Sequence, residues 1–486
     1  MARLATVLTT AFVTAALLTA VGCGSSSESE FGGNGNGNGD GNGNGNGGGF
    51  GGGGGNGGGG GAGPCVGLQC NQVACPGGAT TQLSGKVFDP SGTVPLYNAV
   101  VYVPNAKVDA FPEGITCDKC GTTPSGSPVT TAITDATGTF HLKNVPVGVD
   151  VPLVIQIGRW RRQVTIPAAG VGKCEDRPVD AGMTRLPRNK AEGDIPRIAI
   201  STGGADSLEC FLRKIGIEDK EITNPTGTGR VHLYQGLRKD NNGARIDNNT
   251  PSGESLWATT DPNTNAPAMN KYDMVILSCE GAENTGTKSQ GAKSNLEQYL
   301  NAGGRVFASH FHYTWFKGGA GQLPMTASWT DNGDVGNKAV AVDTTFAKGQ
   351  AFSEWLTNVG ASTTPGTMDM TELRRNVKAV PNANMSQDVS RRWLYTGASG
   401  GADEETKFYS FNAPIGAGAD AQCGRGVYTD IHVSSGDASG GDFPKNCTTT
   451  GLTPQEKALL FLLFDLASCI QDDNKPPAAP PVQTVN

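Results

Sequence analysis

Positive charge and histidine are what this sequence has little of. Lysine and arginine number 38 against 45 acidic residues, a formal charge of -7, so the basic excess needed to neutralise a phosphate backbone is missing. No nucleic-acid partner is expected. Histidine occurs only five times, which makes any group of them worth attention. Beyond residue 22 no stretch has the roughly 18 uninterrupted apolar residues of a membrane-spanning helix. The glycine turn at Gly203-Gly204 lacks GxGxxG spacing, and the acidic Asp206 and Glu209 that cap the following helix would repel a phosphate. Cys117-Asp118-Lys119-Cys120 has no second CxxC to complete a zinc site, so a structural disulfide loop is expected there.

At the start of the chain, Arg3 precedes an apolar segment from Leu4 to Val21, and polar sequence follows at once. Residues 1–22 therefore read as an export signal. Ala20-Val21-Gly22-Cys23 resembles the lipobox of bacterial lipoproteins, with alanine where leucine is more usual. The resemblance implies lipidation at Cys23 and a location at the cell envelope, lipid-anchored to the outer membrane or cell surface. Residues 23–63 alternate glycine and asparagine with almost no apolar side chains, so nothing offsets the entropy of ordering them. They are expected to be a disordered tether, and the proline-rich tail over 473–486 is expected to be disordered too. Export favours disulfides among the cysteines that follow Cys23. Of the twelve in the sequence eleven remain after Cys23, so at least one thiol is left over.

Residues 64–175 combine a cysteine-rich start with short strands between turn signals. Ser84 to Phe88 runs into Asp89-Pro90-Ser91-Gly92, and Asp135-Ala136-Thr137-Gly138 precedes Phe140 to Leu142. Such spacing predicts a small antiparallel sandwich. SGKVFDPSG, PLYNAVVYVP, TDATGTFHLKNVPVG and VPLVIQIG resemble the carboxypeptidase regulatory-like domain. What this implies is a prealbumin-like sandwich that serves as an accessory or adhesion module; it does not itself imply peptidase activity. Arg159-Trp160-Arg161-Arg162 reads as a solvated hairpin tip, with a grip on an anionic polymer as the sharper alternative. Residues 176–195 are expected to be a polar linker.

Residues 196–472 read as an α/β domain of flavodoxin-like class with a central, mainly parallel sheet. Arg197 to Ser201 predicts a strand. Tyr272 to Leu277 is a near-continuous apolar run, as in a strand covered on both faces. A helix follows, with a capping box from Thr287 and Gln290 and apolar positions at Ala292, Leu296, Tyr299 and Leu300. Gly303-Gly304 stops it, and Val306 to Ala308 resumes a strand that runs into His310-Phe311-His312. Asn224 to Met269 reads as an excursion from the fold, and the sequence to about Thr345 as irregular. A helix is expected around Gly349 to Val359. Strands follow at Thr367 to Leu373, Arg392 to Tyr395, Phe408 to Asn412 and Gly426 to His432. Gly397-Ala398-Ser399-Gly400-Gly401 matches a GxSxG elbow but lies between strands, so it reads as a loop. Thr453, Pro454 and Glu456 start a closing helix whose apolar run is buried all round.

The strands RIAIST and YDMVILSC, the helix, AGGRVFASHFH and GRGVYTDIHVS resemble the class I glutamine amidotransferase-like fold, in its trehalose-utilisation-like branch. The resemblance covers about half of this region. It implies a nucleophilic cysteine after the strand ending in Ser309-His310, and no cysteine stands there. Glutamine hydrolysis by that route is not expected.

Ligand crevices in parallel sheets lie beyond the carboxyl ends of the strands. Three groups of residues fall there. His310, His312, Asp430 and His432 form HxH and DxH pairs, and alternate residues of a strand share a face, so the three histidines could hold a divalent metal or act in acid–base work. As a plainer alternative they hydrogen-bond among their aromatic neighbours. Cys279 beside Glu280 could be a nucleophile, but a neighbouring carboxylate raises a thiol, and a disulfide from Cys279 to Cys210 is the stronger expectation. Tyr313, Trp315 and Phe316 suit either a sugar-binding face or a core. The leading expectation is a cell-envelope lipoprotein with a binding or structural role toward a glycan or envelope protein. The rival is a hydrolase or sugar-modifying enzyme that uses His310, His312 and His432; no cofactor is expected, a divalent metal on those histidines being the alternative.

Overall fold

The strand Met274–Leu277, β11 in chain order, shows how the sequence is divided between two cores. Met274 and Ile276 point into one apolar cluster, Val275 and Leu277 into the other, because successive strand residues face opposite sides of a sheet. In this computed structural model residues 65–237, 242–380, 389–401, 403–432 and 437–482 are described. The expected signal and tether, with Cys23, lie outside them. Among the described residues no helix is long and apolar enough to cross a membrane.

In chain order the elements are β1 (Gln82–Lys86), β2 (Val100–Pro104), β3 (Pro128–Ile133), β4 (Thr139–Lys143), β5 (Val151–Ile157), β6 (Trp160–Ile166), β7 (Asp176–Pro178), β8 (Ile198–Ser201) and α1 (Leu208–Lys214). Then come β9 (Ile222–Thr223), β10 (Val231–Tyr234), α2 (Gly253–Trp257), β11 (Met274–Leu277), α3 (Gln290–Asn301), β12 (Arg305–Ser309), α4 (Thr314–Lys317) and β13 (Ser328–Val342). The chain closes with α5 (Ala347–Asn358), β14 (Thr367–Ala379), β15 (Arg391–Thr396), β16 (Glu405–Ala413), β17 (Gly424–Thr429) and α6 (Pro454–Ala467).

Strands β1 to β7 form a three-stranded sheet, β4-β1-β7, and a four-stranded antiparallel sheet, β3-β2-β5-β6. All other strands join one ten-stranded mixed sheet, ordered β14-β13-β15-β16-β17-β12-β11-β8-β10-β9. From β17 to β9 each neighbouring pair is parallel, and β16 to β14 extend the sheet antiparallel. Two of these strands depart from expectation. β10 is an internal strand inside the expected excursion. β13 is a long strand inside the stretch expected to be irregular, with β-bulges along its pairing to β14. Neither has the continuous apolar run that marks β11.

The smaller sheets and the large one share a core. One cluster joins Leu83, Val101 and Phe140 to Ile276, Phe307 and the α6 residues Leu460 and Phe464. Tyr97 stacks on Phe461 at 5.6 Å, and Trp160 meets Phe464 edge-on at 5.7 Å. The α6 cap is as expected, with Thr453 and Glu456 forming the capping box. Helix α3 is capped instead by Ser289, whose side chain accepts from the Ala292 amide. Residues expected as a free linker are part of the body: β7 pairs in parallel with β1, and Thr184 and Leu186 are buried. The tail is held as far as Pro480. Asp473 is buried in an ion pair with Arg425, and Thr131 Oγ1 donates to the Pro480 carbonyl.

The cysteine pairing departs from expectation in two places. Cys117 pairs with Cys423 and Cys120 with Cys469, so the CDKC segment makes no internal loop and instead ties the insertion before β3 to the residue preceding β17 and to the chain just after α6. Cys210 pairs with Cys447 and leaves Cys279 as a buried thiol. Cys65–Cys70 and Cys75–Cys174 complete the set. The RWRR segment offers no grip on a polymer: Trp160 is fully buried, Arg159 is ion-paired with Asp273 at 2.5 Å, and Arg161 with Asp194 at 2.8 Å.

Candidate functional site

Four strands of the parallel region end side by side, and each delivers one polar residue to a common point. After β8 the chain makes a close turn at Gly203, where a Cβ would meet the Cys279 carbonyl oxygen at 2.2 Å. The Ala205 amide donates to that same carbonyl at 3.0 Å, which brings Asp206 beside the end of β11. Cys279 follows β11, His310 follows β12, and His432 follows β17.

The contacts among them are direct. Cys279 Sγ lies 3.5 Å from His310 Nδ1, and the His310 and His432 rings meet edge-on with centroids 4.9 Å apart. His432 Nδ1 is 2.9 Å from Asp206 Oδ1. Ser309 Oγ donates to Asp206 Oδ2 at 2.8 Å and accepts from the Cys279 amide at 2.9 Å, so one hydroxyl fixes both the carboxylate and the cysteine backbone. Asn332, from β13, places its Oδ1 3.3 Å from His310 Nε2. His310 has a φ of 36°, a left-handed conformation that is strained for a residue with a side chain, and such strain concentrates at functional positions.

Electrostatics separate the two histidines. His310 is buried, which favours its neutral form, and the neighbouring His432 adds to this; its pKa is lowered to about 3. Burial also opposes a charge on His432, but the Asp206 carboxylate outweighs it and raises the imidazole above its ordinary value. Asp206 is wholly buried, yet His432 and the Ser309 hydroxyl hold it below the usual carboxylate range. Burial, with Asp206 nearby, pushes the Cys279 thiol strongly up. The backbone of Phe311 and Gly281 opposes that rise in part. Without a further positive charge, Cys279 and His310 are therefore both neutral, and the thiol is not activated as a nucleophile.

Three of the expected site residues are elsewhere. His312 does not share a face with His310, because His310 to Tyr313 form a 3-10 turn and not a strand. Its Nε2 bonds the Ser278 carbonyl at 2.8 Å and its Nδ1 accepts from Trp315 Nε1 at 3.0 Å, and burial lowers its pKa to about 4. Asp430 turns away from His432. It accepts from the Asn376 and Val377 amides and from the Asn376 side chain, so its carboxylate anchors β14. Glu280 is buried in an ion pair with Lys288 at 2.7 Å. The expected histidine trio for a metal thus becomes a pair. Tyr313, Trp315 and Phe316 make no sugar-binding face, since they are 6%, 0% and 0% exposed and belong to the second core cluster.

Asp206, Ser309 and Asn332 are the site residues that reading the sequence did not assign. Asp206 was open to discovery: it follows a parallel strand just as Cys279 and His310 do, but its place before a helix suggests a cap. Asn332 arrives on β13, which has no signal of its own.

No family model matches the chain, and no curated protein matches it. Among solved structures, a ThuA-like protein of Bacteroides uniformis is similar over 55% of this chain and 90% of its own, at 11% identity and a TM-score of 0.29. A likeness of that size fixes neither fold nor function.

Proposed function

We propose that this chain is an envelope lipoprotein whose α/β part is a hydrolase or sugar-modifying enzyme, with its reacting centre at Asp206, Cys279, His310 and His432. The observation that carries this is the convergence of these four residues at the ends of four neighbouring strands, where ligands of parallel sheets bind. A purely structural role needs no such gathering. Burying polar groups is costly even where they are paired, yet here a carboxylate, two imidazoles and a thiol are assembled and a strained backbone is kept at His310. The amidotransferase-like and carboxypeptidase regulatory-like resemblances, and lipidation at Cys23, belong to this reading. In it the nucleophilic cysteine of the amidotransferase site is replaced by His310, and Asp206 orients His432.

The test is turnover. The full chain is assayed against chromogenic glycosides and sugar esters, with Asp206→Asn and His432→Ala beside it. The proposal expects turnover by the parent chain that falls by about 10²- to 10⁴-fold in both variants, the range for loss of a positioned acid–base or orienting group. Absence of turnover across the panel, or turnover that both variants retain, would overturn it in favour of a binding role.

A further inference from the structure

We infer that Cys279, His310 and His432 are the protein ligands of one borderline divalent cation of the zinc class, with Asp206 as the residue that orients His432. The inference takes its location from the proposed centre but does not need that centre to be catalytic.

The three candidate ligand atoms, one from each residue, all lie within 4.8 Å of one another. A four-coordinate zinc has bonds of about 2.3 Å to sulfur and about 2.0 Å to nitrogen, which sets sulfur and nitrogen about 3.5 Å apart. Cys279 Sγ and His310 Nδ1 are separated by 3.5 Å. His432 turns Nδ1 to Asp206, which leaves Nε2 for a metal. A carboxylate on the far nitrogen of a ligating histidine is the usual way its tautomer and orientation are fixed.

The sulfur is wholly buried and faces an imidazole nitrogen at 3.5 Å. A cation placed between them would supply the charge that keeps a thiolate at neutral pH. Thiolate and imidazole together select zinc-class ions over magnesium or calcium, which take oxygen. Three protein ligands is also the number found at catalytic zinc sites, where the metal lowers the pKa of a bound water.

Cobalt(II) is the probe, because a cobalt–thiolate bond gives a charge-transfer absorption that imidazole and carboxylate ligands do not. The purified full chain, stripped with chelator, is titrated with cobalt(II) and followed by absorption and by metal content. The expected result is about one cobalt per chain with the charge-transfer band. Cys279→Ser should abolish the band, His432→Ala should abolish tight binding, and Asp206→Asn should weaken it by about 10- to 100-fold. His141→Ala, at an exposed position on β4, should bind as the parent does. Thermal melts of the chelator-treated proteins identify any variant that has failed to fold. A folded parent chain that binds no cobalt, or binds it without the band, overturns the inference, as does a folded Cys279→Ser chain that keeps the band. Turnover without metal binding would leave the enzyme reading standing alone; metal binding without turnover would leave only the metal site.

Discussion

Asp206 and His432 stand 226 residues apart in the chain and meet at 2.9 Å. Each alters the other's titration. Burial penalises both charges, but pairing lowers Asp206 from 3.8 and raises His432 from 6.5. A lowered acid contributes stability that is present above its unfolded value and lost as pH falls through the folded one. A raised base contributes stability that is present below its unfolded value and lost as pH rises through the folded one. The pair therefore stabilises fully between those two limits. Asp206→Asn should lower the urea midpoint most at roughly pH 5 and much less at roughly pH 9, with chelator present at both. An equal loss at both pH values would show that the pair is not ionised.

Three other imidazoles act in the opposite direction. Burial is the largest cause of the lowered values of His310, His312 and His232, which fall to about 3, about 4 and about 4. Between those values and 6.5 the unfolded chain binds more protons, so stability falls as pH drops. Each imidazole adds a slope of up to about 1.4 kcal/mol per pH unit. Urea unfolding from pH 7 to pH 4.5 should show a steep loss; a flat profile would mean that these rings are hydrated.

Arg159 is expected to matter for stability and not for ligand binding. It is 8% exposed and paired with Asp273, which is 9% exposed. Removal of one partner of a buried pair costs about 3–5 kcal/mol. Arg159→Ala should lose about that much in denaturant unfolding. A loss below about 1 kcal/mol, the range of surface pairs, would contradict the buried geometry.

The disulfides Cys117–Cys423 and Cys120–Cys469 close loops of 306 and 349 residues in sequence separation. Non-reducing peptide mapping should recover both cross-links, with Cys279 the one cysteine among the described residues open to alkylation after unfolding. Replacing either pair by serine should cost about 2–5 kcal/mol. Recovery of a Cys117–Cys120 peptide would contradict the fold.

Gly158 turns β5 into β6 at a φ of 51°, and a Cβ there would strike the Ala467 carbonyl oxygen at 1.8 Å. Gly158→Ala should destabilise by about 1–3 kcal/mol, from strain at a left-handed position and from displacement of the α6 terminus. A melting temperature equal to that of the parent would show that the hairpin tip does not rest on α6.

Residues whose partners are close in sequence declared themselves. The apolar run at Met274 to Leu277, the Thr453–Glu456 capping box and the glycine stop at Gly303 are local: each depends on backbone geometry within one element. The same locality placed Cys279, His310 and His432 at the carboxyl ends of strands, which is where the site lies. Tertiary structure decided the rest. Whether His310 faces Cys279 or His312 depends on a 3-10 turn that begins at His310, and no spacing rule anticipates it. Which cysteine remained free depended on Cys447 reaching Cys210 from 237 residues away. Asp206 became a partner of His432 only because β8 and β17 were brought into one sheet with two strands between them, in an order that is not the order of the chain. Periodicity and capping are short-range properties and survive in one dimension; pairing of distant charges and thiols requires the packed sheet.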